Sequence, residues 1–491
     1  MSESLTRPPA EHHTLICWGV IGTALLGLTI WLAVASPLFG YAYAVKDMPV
    51  FWLAGALAGA GVIYLALPLI IRASSRLTSD SAKYLLWVMI AAGLAMRLVL
   101  FSSEPALEDD YQRYLWDGAV TANGINPYAT SPEAAMAADP GTTALGKLAK
   151  ESGLVLGRVN HPELRTLYPP VAQGAFAIAH WLSPWNLSGW RALILMADIV
   201  SIGLLLLLLR QLGRSPLWAT LYWWNPVVLK EFYNSAHMDA LLVPLVLGAL
   251  FFSLRNRPLS ATASLTLAAG IKIWPVVLLP LVWRKYLDQP RILFACILLA
   301  AAACALFAWP LVSAGFDQSS GLVAYAGKWT TNSALSPLIV DASDWLLTAL
   351  NIEAIQPAFL ARGMIALILG VVVLWQCRRP AIDAQDTADK WLIVAATMFL
   401  LSPAQFPWYY AWVLPFLPLR PVFGLLLLTA TLPLYYTAFY FLSHDTYAVF
   451  KHGIVWLIWL PAWGVLIWEG RKTIAASVRP VNFVKNAEET S

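Results

Sequence analysis

Long apolar runs recur from one end of this chain to the other, each close to the ~20 residues that an α-helix needs to cross a bilayer. Full spans are expected over Leu15–Ser36, Phe51–Ile71, Tyr84–Ser102, Ala192–Leu209, Leu217–Phe232 and Ala240–Leu254, then Ile292–Val312, Phe359–Trp375, Phe423–Tyr440 and Ile454–Trp468. Four shorter runs, Leu259–Gly270, Trp274–Trp283, Trp391–Leu401 and Tyr409–Leu419, read as half-helices meeting at a protein-lined cavity. Irregular backbone inside a bilayer needs such shelter. The expected fold class is therefore an all-α polytopic membrane protein, a bundle of about 12–14 transmembrane helices. Only 12% of the residues are charged, far below the ~25% that wets a soluble domain. A soluble fold is excluded, and a net charge of +4 gives no reason to expect a nucleic-acid partner.

Lys and Arg in short loops set the orientation of such a bundle. Arg72, Arg76 and Lys83 share one loop, Arg210 and Arg214 another. Arg255 with Arg257, the group Arg284, Lys285 and Arg291, Arg378 with Arg379, and Arg471 with Lys472 complete the set. Alternating the spans puts every cluster on one face, which is then the cytoplasm. Four regions follow: 1–103, an N-terminal cytoplasmic tail and three spans; 104–190, an outer loop; 191–470, the rest of the bundle with short outer turns; and 471–491, a cytoplasmic tail. Within the outer loop, YPPVAQGAFAIAHWL from Tyr168 is amphipathic and reads as a helix lying in the outer interface. Cys17, Cys296, Cys304 and Cys377 lie in or beside apolar segments without metal-ligand spacing, so neither disulfides nor zinc is expected. The first apolar run is too long for a signal-peptide core and reads as a retained helix.

The densest chemistry is LEDDYQRYLWDGAVTANGINPY, Leu107 to Tyr128, at the outer end of the third span. Glu108, Asp109 and Asp110 stand side by side at an apolar boundary, where like charge and desolvation raise a carboxylate's pKa toward the range of a general base. The same residues also suit a helix start, where acids favour the dipole. Helical spacing brings Asp110, Arg113 and Asp117 onto nearby faces. Lys272 is a cation inside an apolar stretch, a costly position that calls for a partner or a cavity. That partner is a lipid phosphate or a carboxylate such as Asp198. Lys230, Glu231, His237 and Asp239 gather at one outer turn, either against a ligand or as an ion-pair network. Gln405 has a side chain suited to hydrogen-bonding a sugar, whereas Trp408, Tyr409 and Tyr410 read as belt or packing residues.

Leu107–Tyr128 resembles the first outer loop of the GT-C superfamily of membrane glycosyltransferases, most closely the bacterial branch that uses polyprenol-phosphate mannose. The shared pattern is an acidic pair, an aromatic-Arg helix and a closing G-x-N-P-Y. Further pieces follow in order: YPP at Tyr168–Pro170, WNP at Trp224–Pro226 with HMD at His237–Asp239, IKIWP at Ile271–Pro275, and SPAQFPWYYAW at Ser402–Trp412. The resemblance implies a GT-C-like bundle with a long catalytic first outer loop. It implies transfer of a hexose, mannose by default, from a polyprenyl-phosphate donor to a glycan or glycolipid acceptor at the outer face of the cytoplasmic membrane. Asp110 is then the general base, with Asp109 as the alternative, and inversion at the anomeric carbon is expected. Lys272, Arg113, Lys230, His237, Asp239 and Gln405 are the expected donor phosphate or sugar contacts. No metal and no cofactor are expected, and the other partners are membrane lipids. Unlike many of that superfamily, this chain places three spans before the acidic loop. Two rival readings remain: a lipid or solute transporter, for which broken helices and an intramembrane Lys are equally apt, and a polymerase or ligase of lipid-linked glycans.

The orientation can be tested directly. In a variant lacking the four native cysteines, Ala134→Cys should react with a membrane-impermeant maleimide on intact cells. Labelling only after permeabilisation would invert the topology.

Overall fold

The computed structural model describes residues 9–478. It is built of helices, with no strand among those residues and a single bridge between Thr331 and Ala404. Eight helical segments are long and apolar enough to cross a bilayer: Glu11–Phe39, Val50–Arg76, Ser79–Leu100, Leu187–Gln211, Pro290–Ala314, Pro357–Arg378, Phe423–Ser443 and Tyr447–Lys472. Pro226–Asn234 and Met238–Leu254, bent by 109° at the break between them, form a ninth if taken as one broken span. The all-α membrane fold is therefore present: among the described residues, eight of the ten expected full spans are long apolar helices, Ala240–Leu254 is one arm of the bent pair, and Leu217–Phe232 is broken.

Proline and polar residues account for the difference. Leu217–Phe232 does not continue as one helix. It runs through a 3-10 turn at Pro216–Ala219 and a single helical turn at Thr220–Trp223, then restarts at Pro226, whose ring cannot continue a helix. The Asn225 side chain accepts the N–H groups of Val227 and Val228 and so caps the restart. A π-helical turn, Leu229–Asn234, carries the chain to the bend. The expected half-helices form as Pro258–Ala269, as Trp274–Leu278 with Leu279–Trp283, and as the 3-10 turns Pro407–Trp412 and Leu414–Phe416. The fourth lengthens to Ala384–Leu401, but its first turns carry Asp386, Asp389 and Lys390. The last helix, Val455–Val478, extends into the expected C-terminal tail. The rest of that tail and residues 1–8 lie outside the described residues.

One ion pair holds the middle of the bundle. Arg97 and Asp198 are fully buried on neighbouring helices, Nε to Oδ2 at 2.7 Å. Arg97 also donates to the carbonyls of Gly93 and Trp223, at 2.9 and 2.7 Å, and lies 3.4 Å from the centre of the Trp223 ring. Tyr222 and Tyr233 both donate to Asp198. An ion pair costs desolvation and holds only when its remaining donors and acceptors are met, as they largely are here.

Outside the spans, residues between Leu100 and Leu187 build a small folded layer. The amphipathic segment after Tyr168 forms the helix Pro170–Leu182, with Ile178, Trp181 and Leu182 exposed. It packs along Asp110–Ala122 so closely that a Cβ on Gly118 would lie 2.5 Å from the Phe176 carbonyl oxygen. Trp116, Val120, Leu148, Leu156 and Val159 form a second core beneath the short helices Pro132–Met136 and Ala144–Glu151.

Removing one partner of the central pair leaves a buried charge, a change that costs about 3–5 kcal/mol. Arg97→Met should therefore lower the melting temperature in detergent sharply. Arg97→Met combined with Asp198→Asn should recover part of the loss.

Candidate active site

Two non-glycine residues with left-handed backbone fix the centre of the site. Leu107 has φ 51° and Ala236 has φ 61°, an uncommon conformation for a side chain that must be held by its surroundings. Each immediately precedes a titratable side chain of the cluster, Glu108 and His237. The holding bonds are explicit. The Leu107 N–H donates to the Phe39 carbonyl, and the Trp190 indole donates to the Ala236 carbonyl at 2.7 Å. Arg191 donates to the carbonyls of Phe101, Ser103 and Asn234, while Asn234 bonds Ser103, Glu104 and Ala106. The end of the third span is thus laced to the 109° bend.

The result is a short bond between distant parts of the chain. Glu108 Oε2 lies 2.9 Å from His237 Nε2. The other oxygen, Oε1, accepts the N–H groups of Asp109 and Asp110, so Glu108 caps the helix that follows. Asp109 and Asp110 occupy the helix start itself, and Glu108 holds their N–H groups from the residue before. Asp110 is left partly open, its Oδ2 3.9 Å from His237 Nδ1. Asp109 turns the other way, toward Asn160 Nδ2 at 3.4 Å.

Electrostatics follow from this packing. Burial first, then the neighbouring Glu108 charge, pushes Asp110 up to about 7, against the opposing pull of His237. The same two causes push Asp109 up to about 6. Burial also raises Glu108, against the opposing charge of Lys230. Glu108, Asp110 and His237 each bring one ligand atom within 4.8 Å of the others, a spacing that would suit a cation; the buried Lys230 ammonium supplies positive charge to this cluster.

Asp109 and Asp110 face a cavity of about 920 Å³, which Glu108, Arg113, Asp239 and Lys272 also line. Lys272 sits in the break between the short helices, as expected, but its carboxylate partner is Asp239, not Asp198. Nζ lies 2.8 and 3.0 Å from the two Asp239 oxygens and 3.9 Å from the Tyr409 ring centre. Trp412 donates to the same Asp239 at 3.1 Å. The backbone turn beside Lys272 is fixed by the Gly270 carbonyl, which accepts the N–H groups of Val171 and Ala172. A Cβ at Gly270 would lie 2.3 Å from Val171 Cγ2, so the close approach needs glycine.

Other expected contacts sit differently. The Arg113 guanidinium donates to the carbonyls of Asn160, His161 and Leu164 and serves the loop. Lys230 and His237 lie behind the cavity wall: Lys230 donates to Ser235 and sits 4.4 Å from the Tyr436 ring centre, and His237 stacks on Trp408 at 3.9 Å. Glu231 joins this layer, 3.6 Å from His237 and bonded by Tyr436 at 2.6 Å. Gln405 is buried away from the cavity, its amide donating to the Phe399 and Leu400 carbonyls. Trp408 and Tyr409, read as belt or packing residues, line the cavity instead.

Arg362 is a lining residue that the sequence reading passed over. It is the one charge between Pro357 and Trp375, and a cation in a span facing a cavity is a functional signal by default. Ile365, Ala366 and Leu369, three, four and seven residues on, line the cavity from the same helix face. Lys272 is likewise followed by Ile273, Val276 and Val277, also in the lining. Two walls each pair a cation with an apolar stripe.

The family model described as alpha-(1->6)-mannopyranosyltransferase, N-terminal domain, matches residues 14–286. The curated relative Alpha-(1->6)-mannopyranosyltransferase A of Mycobacterium tuberculosis is 23% identical over 339 residues, 64% of this chain and 62% of the relative. The chain thus matches less than two thirds of that relative's length. No solved structure matches it.

The raised Asp110 value carries a stability consequence. Between the ordinary carboxylate range and about 7, the folded chain keeps a proton that the unfolded chain releases, so this group's contribution to stability falls as pH rises through that window. Wild-type melting temperature should therefore drop relative to Asp110→Asn between pH 5 and pH 8. Parallel curves would place the titration elsewhere.

Proposed function

The chain belongs to the alpha-(1->6)-mannopyranosyltransferase family, and from that premise we propose that it transfers mannose from a polyprenyl-phosphate carrier to a hydroxyl of a glycan or glycolipid acceptor. The observation that carries the reading is the meeting of Asp110 and Lys272 on one cavity whose walls continue as apolar stripes. A nucleotide-sugar donor has no use for those stripes. A lipid-linked donor does: its phosphate pairs with Lys272 and Arg362, and its isoprenoid tail lies along Val276, Val277, Ile365, Ala366 and Leu369. The acceptor enters from the layer built by residues 104–190, which the distribution of Lys and Arg assigns to the outer side of the cytoplasmic membrane.

In the step itself, Asp110 takes the proton of the acceptor hydroxyl as that oxygen bonds to C1 of the mannose. The bond from C1 to the phosphate oxygen breaks on the opposite side, with inversion, and its electron pair leaves on the lipid phosphate. Lys272 and Arg362 stabilise the charge that grows there. The Lys272 ammonium has three donors and Asp239 provides two oxygens, so one donor remains for the phosphate. His237 and Glu108 hold the acidic loop and tune Asp110 from behind.

A general base contributes typically ~10²–10⁴-fold to rate. Asp110→Asn should lower mannosyl transfer by that order, with donor binding kept. Because the base must be ionised, wild-type transfer should rise with pH through about 7, and the Asn variant should lose that limb. Lys272→Met and Arg362→Met should each weaken binding of polyprenyl-phosphate mannose. Full activity in Asp110→Asn would move the base to Asp109 or end the assignment.

A further inference from the structure

The spanning helix Leu187–Gln211 runs out in the sequence RQLGR, where Gly213 takes the left-handed backbone, φ 64°, that reverses a chain after a helix. The Arg214 N–H returns to the Leu209 carbonyl at 2.9 Å, so Arg214 is held at the helix end. Its guanidinium lies 4.9 Å from the Trp218 ring centre. Its Nε is shielded from solvent and has no hydrogen-bond partner among the described residues. Arg72, in the last turn of Leu67–Ala73, and Arg420, just after the turn Leu414–Phe416, bring two further guanidinium charges near it. Leu67–Ala73 packs on Pro216–Ala219, the turn that follows Arg214. Arg420 is tied from another side, its Nε 3.8 Å from Asp389 Oδ2. None of the three arginines lines the cavity.

Three cations therefore share this corner with one acid. Burial first, then the Arg420 charge, disfavours the charged form of Arg214; Asp389 opposes them and Arg72 adds to them. A guanidinium keeps its proton regardless, so the repulsion stands as a cost of the fold. A helix C-terminus favours a cation, which accounts for Arg72 and Arg214 separately and not for their meeting with Arg420. Cations gathered from three distant parts of the chain in excess of the local acid suit an anion, and the guanidinium fork matches phosphate oxygens two at a time. The flanks are apolar. Leu69, one turn before Arg72 on the same helix, is exposed, and so is Phe423, three residues after Arg420 at the start of its helix.

We propose that Arg72, Arg214 and Arg420 form a binding site for the phosphate of an anionic phospholipid. The headgroup phosphate takes the forked donors, and the acyl chains lie along Leu69 and Phe423. A free phosphate would answer the charges and leave the apolar flanks without a partner. The distribution of Lys and Arg assigns this face to the cytoplasm, where the membrane leaflet carries anionic lipids. A lipid seated here ties the end of Leu67–Ala73 to the end of Leu187–Gln211 and to the turn before Phe423–Thr431.

The test is lipid retention by the full-length protein, stripped in neutral detergent, counted by native mass spectrometry and followed by melting temperature. The probes are phosphatidylglycerol, phosphatidylcholine and inorganic phosphate. One Lys or Arg near an anionic lipid is worth roughly fivefold in affinity. Wild type should therefore hold phosphatidylglycerol at least about tenfold more tightly than phosphatidylcholine and melt higher with it. Arg72→Gln with Arg420→Gln changes two exposed residues; it should lose that preference without a fall in the lipid-free melting temperature. Arg214→Gln should lose it as well. Arg255→Gln with Arg257→Gln, on the same face, should keep it. No preference in wild type would overturn the site. Equal losses in both double variants would reduce it to the general attraction of a basic face. A lower lipid-free melting temperature in Arg72→Gln with Arg420→Gln would make these arginines structural, and an equal response to inorganic phosphate would make the occupant a free anion. Each of these results sinks the proposal.

Discussion

Arg97 and Asp198 sit at zero exposure in a bundle otherwise packed with apolar side chains, and much of the site depends on how their charges are met. Neither residue can be left alone there, because an unpaired charge in such surroundings is too costly. The pair therefore recruits its neighbours. The Trp223 carbonyl and ring come to Arg97, and the Tyr222 and Tyr233 hydroxyls come to Asp198. Those three residues bracket the interrupted stretch of chain that leads to the bend. Backbone carbonyls freed by the Pro226 break find partners in this way, which is how irregular backbone survives among apolar helices. A continuous helix through the same residues would have turned His237 and Asp239 away from the acidic loop.

From that anchor the geometry propagates outward. Tyr233 precedes Asn234, and Asn234 together with Arg191 and Trp190 ties the bend to residues 101–106. Left-handed backbone at Leu107 and Ala236 then costs of order 1–3 kcal/mol each, offset by the bonds around them. What the strain secures is the approach of Glu108 to His237. With Glu108 committed both to the imidazole and to the N–H groups of the next helix, the two aspartates are free to face the cavity. Their raised proton affinities come from burial and from the fixed charge of Glu108. The acidic run is thus a division of labour among three carboxylates, one holding and two facing open space.

The acidic loop was legible in the sequence because charges at the end of an apolar run stand out, and so was the position of Lys272 between two short helices. The partner of Lys272 was not. Asp239 and Asp198 are both acids near apolar segments, and only the 109° bend decides which one meets the ammonium. Gln405 illustrates the opposite error: a polar side chain in a suggestive turn proved to be bonded to carbonyls of the preceding helix. Arg362 was visible as a lone charge in a span, but its orientation toward the cavity needed the packing of its helix. Leu217–Phe232 read as one span because hydropathy registers apolar content and is blind to the proline break that divides this run into turns.

The cavity gathers carboxylates and cations on one lining, and their coupling bears on the proposed transfer. Lys272 and Arg362 both lie in its lining, each followed along its own segment by apolar residues that line it too. Asp110 is close enough to Lys272 for that charge to lower its proton affinity and close enough to Glu108 for the reverse. Departure of an anionic phosphate product would remove negative charge from the Lys272 end, while its arrival as donor would add it. Donor binding should thus raise the proton affinity of Asp110 and move the rising limb of the pH–rate profile to higher pH. The acid and the cation are coupled through the cavity they share, so neither residue type alone would recover the chemistry of the pair.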